Sequence, residues 1–203
     1  MTIYKRGDKS PMVGQIQKAL HLVQDNHFGD ITEEAVKAFQ AKNGLKVDGA
    51  VGPATLAKLL PVWFRKSKRT IKEIIIHCSA TPEGKDFTVQ DIRRWHKAQG
   101  WSDVGYHFVI YRNGHIEPGR DVDLVGAHCT GHNTYSIGIC YIGGMDRDNK
   151  QPKDTRTLTQ KAALLSLLTD LRTLYPNARI YGHRDFAAKA CPSFDATKEY
   201  KNL

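Results

Sequence analysis

The apolar positions of this chain follow one rhythm up to about residue 60 and another beyond residue 70. In the first stretch Val13, Ile16, Leu20 and Val23 recur at helical spacing, as do Ala35, Val36 and Phe39, and then Leu56, Leu59 and Leu60. Three short helices are predicted. The segment Phe28-Gly29-Asp30-Ile31-Thr32 is echoed twenty-three residues later by Val51-Gly52-Pro53-Ala54-Thr55, and each copy opens a helix. Asp30 with Glu33 reads as a capping box, Pro53 suits a first helical turn, and Asp48-Gly49 is a turn pair.

From Ile71 onward short apolar runs alternate with helical stripes, the pattern of a sheet with helices packed on it. Ile74 to His77 reads as a buried strand. Thr88 with Asp91 starts a helix whose face carries Ile92 and Trp95 and which ends at Gly100. Residues 105–112 and 115–117 read as strands joined by the Asn113-Gly114 turn, and Ser136 to Tyr141 as another strand. Thr157 with Gln160 caps a leucine-rich helix reaching Tyr175. A last strand, Arg179 to Tyr181, delivers His183.

Charge and composition narrow the partners. The 203 residues include 30 Lys+Arg against 21 Asp+Glu, a net charge of +9, so an anionic partner is expected, nucleic acid or bacterial envelope. Residues 62–70 are abruptly basic and read as a solvated linker between a domain at 1–61 and one at 71–203. The start of the chain lacks the apolar core of a signal peptide and no run reaches membrane-spanning length, so synthesis in the cytoplasm without membrane insertion is expected. A reducing compartment argues against disulfides among Cys78, Cys129, Cys140 and Cys191. Cys78, Cys129 and Cys140 are expected as buried thiols, with Cys78 turned away from its neighbour His77 by strand alternation.

His77, His183 and Cys191 read together as a zinc site. Two imidazoles and a thiolate leave a fourth coordination position for water, the arrangement of a hydrolase acting on an amide or ester. Lys189, two residues before Cys191, is expected near a developing oxyanion. Tyr106 offers a phenol to orient water or pass a proton. Tyr106 and His107 alternate, so one should face the cleft and the other the core. His96 reads as a packing histidine, and the same default covers His21, His27, His115 and His132. His128, in a loop, is a candidate for lining the substrate cleft, and Asp185 either orients a ligand or caps its loop. The carboxylates Glu73, Asp103, Glu117, Asp121 and Asp185 form no pair of the kind a glycosidase needs.

Two resemblances add to this. Gln17, Leu20, Ala35, Val36, Phe39-Gln40, Gly44-Leu45, Asp48-Gly49, Val51-Gly52, Thr55 and Leu59 make residues 7 to 60 similar to the peptidoglycan-binding domains of cell-wall hydrolases. Ile74 through Thr81, Trp95-His96 with Gly100-Trp101, Asp103 through Phe108, Asn133 with Ser136-Ile137-Gly138, and His183 through Pro192 resemble type 2 N-acetylmuramoyl-L-alanine amidases, above all the short amidase-type phage lysozymes. Peptidoglycan recognition proteins share these landmarks. The resemblance implies an α/β amidase domain with a mixed central sheet and flanking helices, behind a small all-α three-helix domain. It implies one Zn2+ held by His77, His183 and Cys191, a cleft-facing Tyr106, and catalytic support from Tyr106 and Lys189. The bond implied is the amide between the lactyl group of muramic acid and L-alanine. A modular phage endolysin follows, a monomer whose partner is peptidoglycan rather than nucleic acid, reaching the wall or periplasm once a separate protein opens the membrane. The alternative is a non-catalytic wall binder or polymerase-inhibiting partner.

Overall fold

A computed structural model describes residues 3–59 and 65–203, which fall into two compact units, the first ending at Arg65 and the second beginning with Lys66. Leu60 and residues 61–64 lie outside the described residues.

The first unit has three helices, α1 (Pro11–Ala19), α2 (Asp30–Lys42) and α3 (Pro53–Leu59). Val13, Ile16, Phe28, Val36, Val51 and Leu59 form its core. The helical stripe ends sooner than its spacing predicts: α1 stops at Ala19, His21 takes a left-handed φ of 58°, and Val23 is 85% exposed. The expected Asp30–Glu33 capping box is also absent. Gly29 is the N-cap, with no side-chain cap, and Asp30 lies inside the helix paired with Arg6 at 2.6 Å.

The repeat is deeper than its apolar landmarks. Gln17 Nε2 donates to Asp25 Oδ1, the His27 carbonyl and Thr32 Oγ1, while Gln40 Nε2 donates to Asp48 Oδ1, the Ala50 carbonyl and Thr55 Oγ1. Every partner is displaced by the same twenty-three residues. Each glutamine is buried and its Oε1 accepts a turn amide, from Asn26 in one copy and from Asp48 and Gly49 in the other. A buried amide satisfied on both its oxygen and nitrogen fixes the turn before the next helix.

The second unit is built on a five-stranded sheet of order β4-β3-β5-β1-β7. Its strands are β1 (Glu73–Cys78), β3 (Phe108–Ile110), β4 (Ile116–Pro118), β5 (Ser136–Tyr141) and β7 (Arg179–Gly182). A parallel pair, β2 (Thr81–Pro82) and β6 (Gly144–Met145), stands apart. β1, β3, β5 and β7 run parallel and β4 is antiparallel, so the sheet is mixed. Ile74, Ile75 and Ile76 are fully buried, as expected of a strand covered on both faces. Helix α4 (Val89–Ala98) carries the expected Thr88–Asp91 capping box and packs Val89 and Ile92 against Val109 and Cys140. Helix α5 (Leu158–Leu174) has the Thr157–Gln160 box, buries Leu164, Leu167, Leu168 and Leu171, and contacts β3. A short helix, α6 (Ala196–Glu199), follows β7 and packs on it.

Two expectations change here. The strand expected over 105–112 shrinks to Phe108–Ile110, because the Gly105 amide turns to His96 Nδ1 and the Tyr106 carbonyl accepts from Arg120. The basic segment is also not a solvated linker throughout. Lys66 to Thr70 belong to the second unit, where Ser67 is buried, its amide donating to the Tyr175 hydroxyl and its Oγ to the Val122 carbonyl. Arg69 donates to the carbonyls of Val122, Asn133, Thr134 and Ser136. A guanidinium has five N–H donors in a fixed fork, and here it ties together a carbonyl cluster that composition alone could not foresee.

Candidate metal centre and active site

His77 is the fifth residue of β1, and His183 follows β7 directly, in a 3-10 turn over His183–Asp185. The two strands are parallel neighbours, so both histidines emerge at carboxyl ends of the sheet, where α/β folds place ligands. Register sets the face: His77 pairs with Cys140 and Cys140 with Val109, on the side covered by α4, whereas Cys78 pairs with Tyr141. Cys191 arrives on the loop beyond His183. The Tyr141 hydroxyl donates to the Pro192 carbonyl at 2.6 Å, Ser193 Oγ donates to the Gly144 carbonyl at 2.8 Å, and the Arg156 guanidinium covers the Phe194 ring at 3.2 Å. Arg156 is itself held by Asp154 and Glu199.

One donor atom from each of His77, His183 and Cys191 lies within 4.8 Å of the others, and Cys191 Sγ is 3.9 Å from His77 Nδ1. Donors of a tetrahedral zinc sit about 3.5 Å apart, so this trio fits the ion after small side-chain adjustments. The electrostatics fit as well. Burial, reinforced by neighbouring histidines and the Lys189 charge, holds His77 well below the ordinary imidazole range, and burial followed by Lys189 lowers His183. Both imidazoles are therefore neutral near pH 7, the state a metal requires. The Cys78 amide donates to Cys191 Sγ at 3.3 Å, a contact that suits a thiolate. The two thiols also bond to each other, which draws Cys78 down to about 7 and pushes Cys191 up. A cation between the imidazoles and Cys191 would neutralise charge on Sγ directly and move the ionisation there.

Tyr106 stands beside this trio, its ring 5.1 Å from that of His77. Burial, then nearby thiols, raises its phenol well above the ordinary range, so it is a hydrogen-bond donor and not a phenolate. His107 takes the core position: it is fully buried, Nδ1 accepts from the Gly138 amide, Nε2 faces the Leu124 carbonyl, and burial lowers it to about 4. His96 packs as expected, accepting the Gly105 amide on Nδ1 with its ring tilted against those of Trp101 and Tyr106. Lys189 is exposed on the Cys191 loop, and its charge reaches both His77 and His183. Asp185 caps its loop: Oδ2 accepts from the Gly182 amide at 2.8 Å and Thr197 Oγ1 at 2.6 Å.

His128, the candidate for lining the cleft, is buried against His77. It is 7% exposed and lies behind His77, with Nδ1 3.1 Å from His77 Nε2 and Nε2 3.3 Å from Ser136 Oγ. Its ring packs against Gly126 and Gly138, which buries it. The four cysteines are free thiols, and Cys78, Cys129 and Cys140 are buried.

Two neutral imidazoles and a thiol at the carboxyl end of the sheet, with a protonated phenol alongside, are the donor set a hydrolytic metal centre uses. Residues 67–194 match the family model described as N-acetylmuramoyl-L-alanine amidase, and residues 9–59 match a putative peptidoglycan binding domain. The chain belongs to the N-acetylmuramoyl-L-alanine amidase family. It is 48% identical over 140 residues to the endolysin of Enterobacteria phage K11, covering 69% of this chain and 91% of that one. To the endolysin of Klebsiella phage KP32 it is 49% identical over 134 residues, 66% of this chain and 87% of that one. Among solved structures, the N-acetylmuramoyl-L-alanine amidase LysC from Clostridium intestinale URNW superposes with a TM-score of 0.55 at 27% identity, covering 69% of this chain and 89% of that one.

Proposed function

We propose that the protein is a modular phage endolysin whose second unit is a zinc-dependent amidase, cutting the bond between the muramic acid lactyl group and L-alanine in peptidoglycan. The observation that carries this is the convergence of His77, His183 and Cys191 within 4.8 Å beside Tyr106. When bound there, zinc supplies a Lewis acid that polarises the amide carbonyl and eases deprotonation of water. The remaining work belongs to the chain. The Lys189 ammonium is assigned to the negative charge developing on the carbonyl oxygen, which its reach over both imidazoles supports. The Tyr106 phenol, kept protonated by burial, is assigned to orienting water at the scissile carbon. The first unit is assigned to holding the wall polymer, so that the amidase works at high effective concentration on an insoluble substrate.

The test joins metal analysis to product analysis. Purified protein is expected to carry one zinc, and mass spectrometry of digested peptidoglycan should show intact glycan carrying free lactyl groups together with peptides bearing new L-alanine amino termini. His183→Ala should lose both zinc and product. Zinc-free protein that releases amines at the full rate would sink the metal mechanism, and new reducing sugar ends instead of amines would sink the amide assignment.

A further inference from the structure

The buried neighbour of His77 has no part in the chemistry described so far, yet the fold makes deliberate room for it. A β-carbon at Gly126 or at Gly138 would come within 2.5 Å of the His128 ring, so both positions must lack a side chain for the imidazole to fit. Asn133 Oδ1 accepts the backbone amides of His128 and Cys129, both at 2.9 Å, and fixes the segment that presents the ring. The ring nitrogens then meet His77 Nε2 on one side and Ser136 Oγ on the other.

The logic of this row follows from counting protons. A neutral imidazole has one N–H and one bare nitrogen, and the bare one is the ligand. His77 Nδ1 faces Cys191, so Nε2 must carry the proton whenever a metal is held. That proton needs a buried acceptor, and the atom at 3.1 Å is His128 Nδ1. His128 then carries its own proton on Nε2, directed at Ser136 Oγ, which both accepts and donates. We propose that His128 is the positioning residue of the metal centre: it accepts the His77 Nε2 proton, leaves Nδ1 bare toward the metal, and passes the hydrogen bond on to Ser136. This rests on the zinc reading above. Outer hydrogen-bond partners of metal-bound histidines govern affinity in this way, and losing one weakens binding by about 10- to 100-fold.

The test measures zinc affinity by competition with a chelator, on full-length protein, with the fold of each zinc-free variant checked by thermal melting. His128→Leu keeps apolar bulk and removes the acceptor; zinc affinity should fall by about 10- to 100-fold. His128→Asn, whose Oδ1 takes the place of Nδ1, should recover most of that loss. Unchanged affinity in His128→Leu overturns the proposal, and so does an equal loss in both variants, which would mean that only ring packing matters. Ser136→Ala keeps the question answerable should the leucine variant fail to fold: a few-fold weakening is expected, and none overturns the relay. Wild-type protein that binds no zinc overturns the zinc reading itself, an outcome distinct from normal zinc binding that ignores His128.

Discussion

Lys189 and His107 show how one side chain's surroundings set its chemistry. Lys189 is exposed, yet its charge is felt by both candidate ligands. Lys189→Met is therefore expected to leave zinc content intact and to lower kcat by about 100-fold with little change in KM, as when one oxyanion donor is lost. An equal change in KM alone would place the lysine in substrate binding. His107 is fully buried and its pKa falls to about 4, against an ordinary value of 6.5. Between those values the unfolded chain binds a proton that the folded chain refuses, so stability is full above pH 6.5 and is lost as pH falls toward 4. His107 alone contributes about 3 kcal/mol to that loss, and the depressed His77 and His128 act in the same direction. Thermal melting of zinc-free protein across this range checks the sign; a melting temperature flat down to pH 4 would contradict it.

Within elements, structure follows the sequence wherever the deciding partners are near neighbours. The Thr88–Asp91 and Thr157–Gln160 boxes close on their own helices, and the Ser136–Tyr141 strand has the bounds its apolar run implies, because caps and periodicity involve residues within one turn or one strand. Asp30 failed for the same reason seen from the other side: Gly29 already occupies the cap, and a distant Arg6 claims the carboxylate. The paired glutamines of the first unit were visible as letters, but their equivalence appears only when the turns fold over them. Gln40→Leu removes the partner of the Gly49 amide and the Ala50 carbonyl, at about 1–3 kcal/mol for each group left unsatisfied. In so small a unit that should abolish its cooperative melting while the transition of the second unit persists. Two unchanged transitions would show that the turn holds without its staple.

Across the whole molecule, the two units divide binding from cutting in the proposed function. Deleting residues 1–61 should reduce lysis of intact walls by 10-fold or more, on the order of the avidity a second site adds, and leave cleavage of a small soluble muropeptide nearly unchanged. Equal losses on both substrates would remove the tether. The net charge of +9 should make the wall-dependent part weaken with salt. The order of helices and strands is legible in the residues alone, because helical and strand periods and caps are written locally, and His77, His183 and Cys191 stand out there as candidate ligands by side-chain type. The nine histidines look alike in the sequence. Only the tertiary structure sorted them, bringing His77 to Cys191 across 114 residues, turning His107 inward, and sliding His128 behind His77 between two glycines. A histidine's role is set by which nitrogen meets which atom and how much water is excluded, and both are properties of long-range packing.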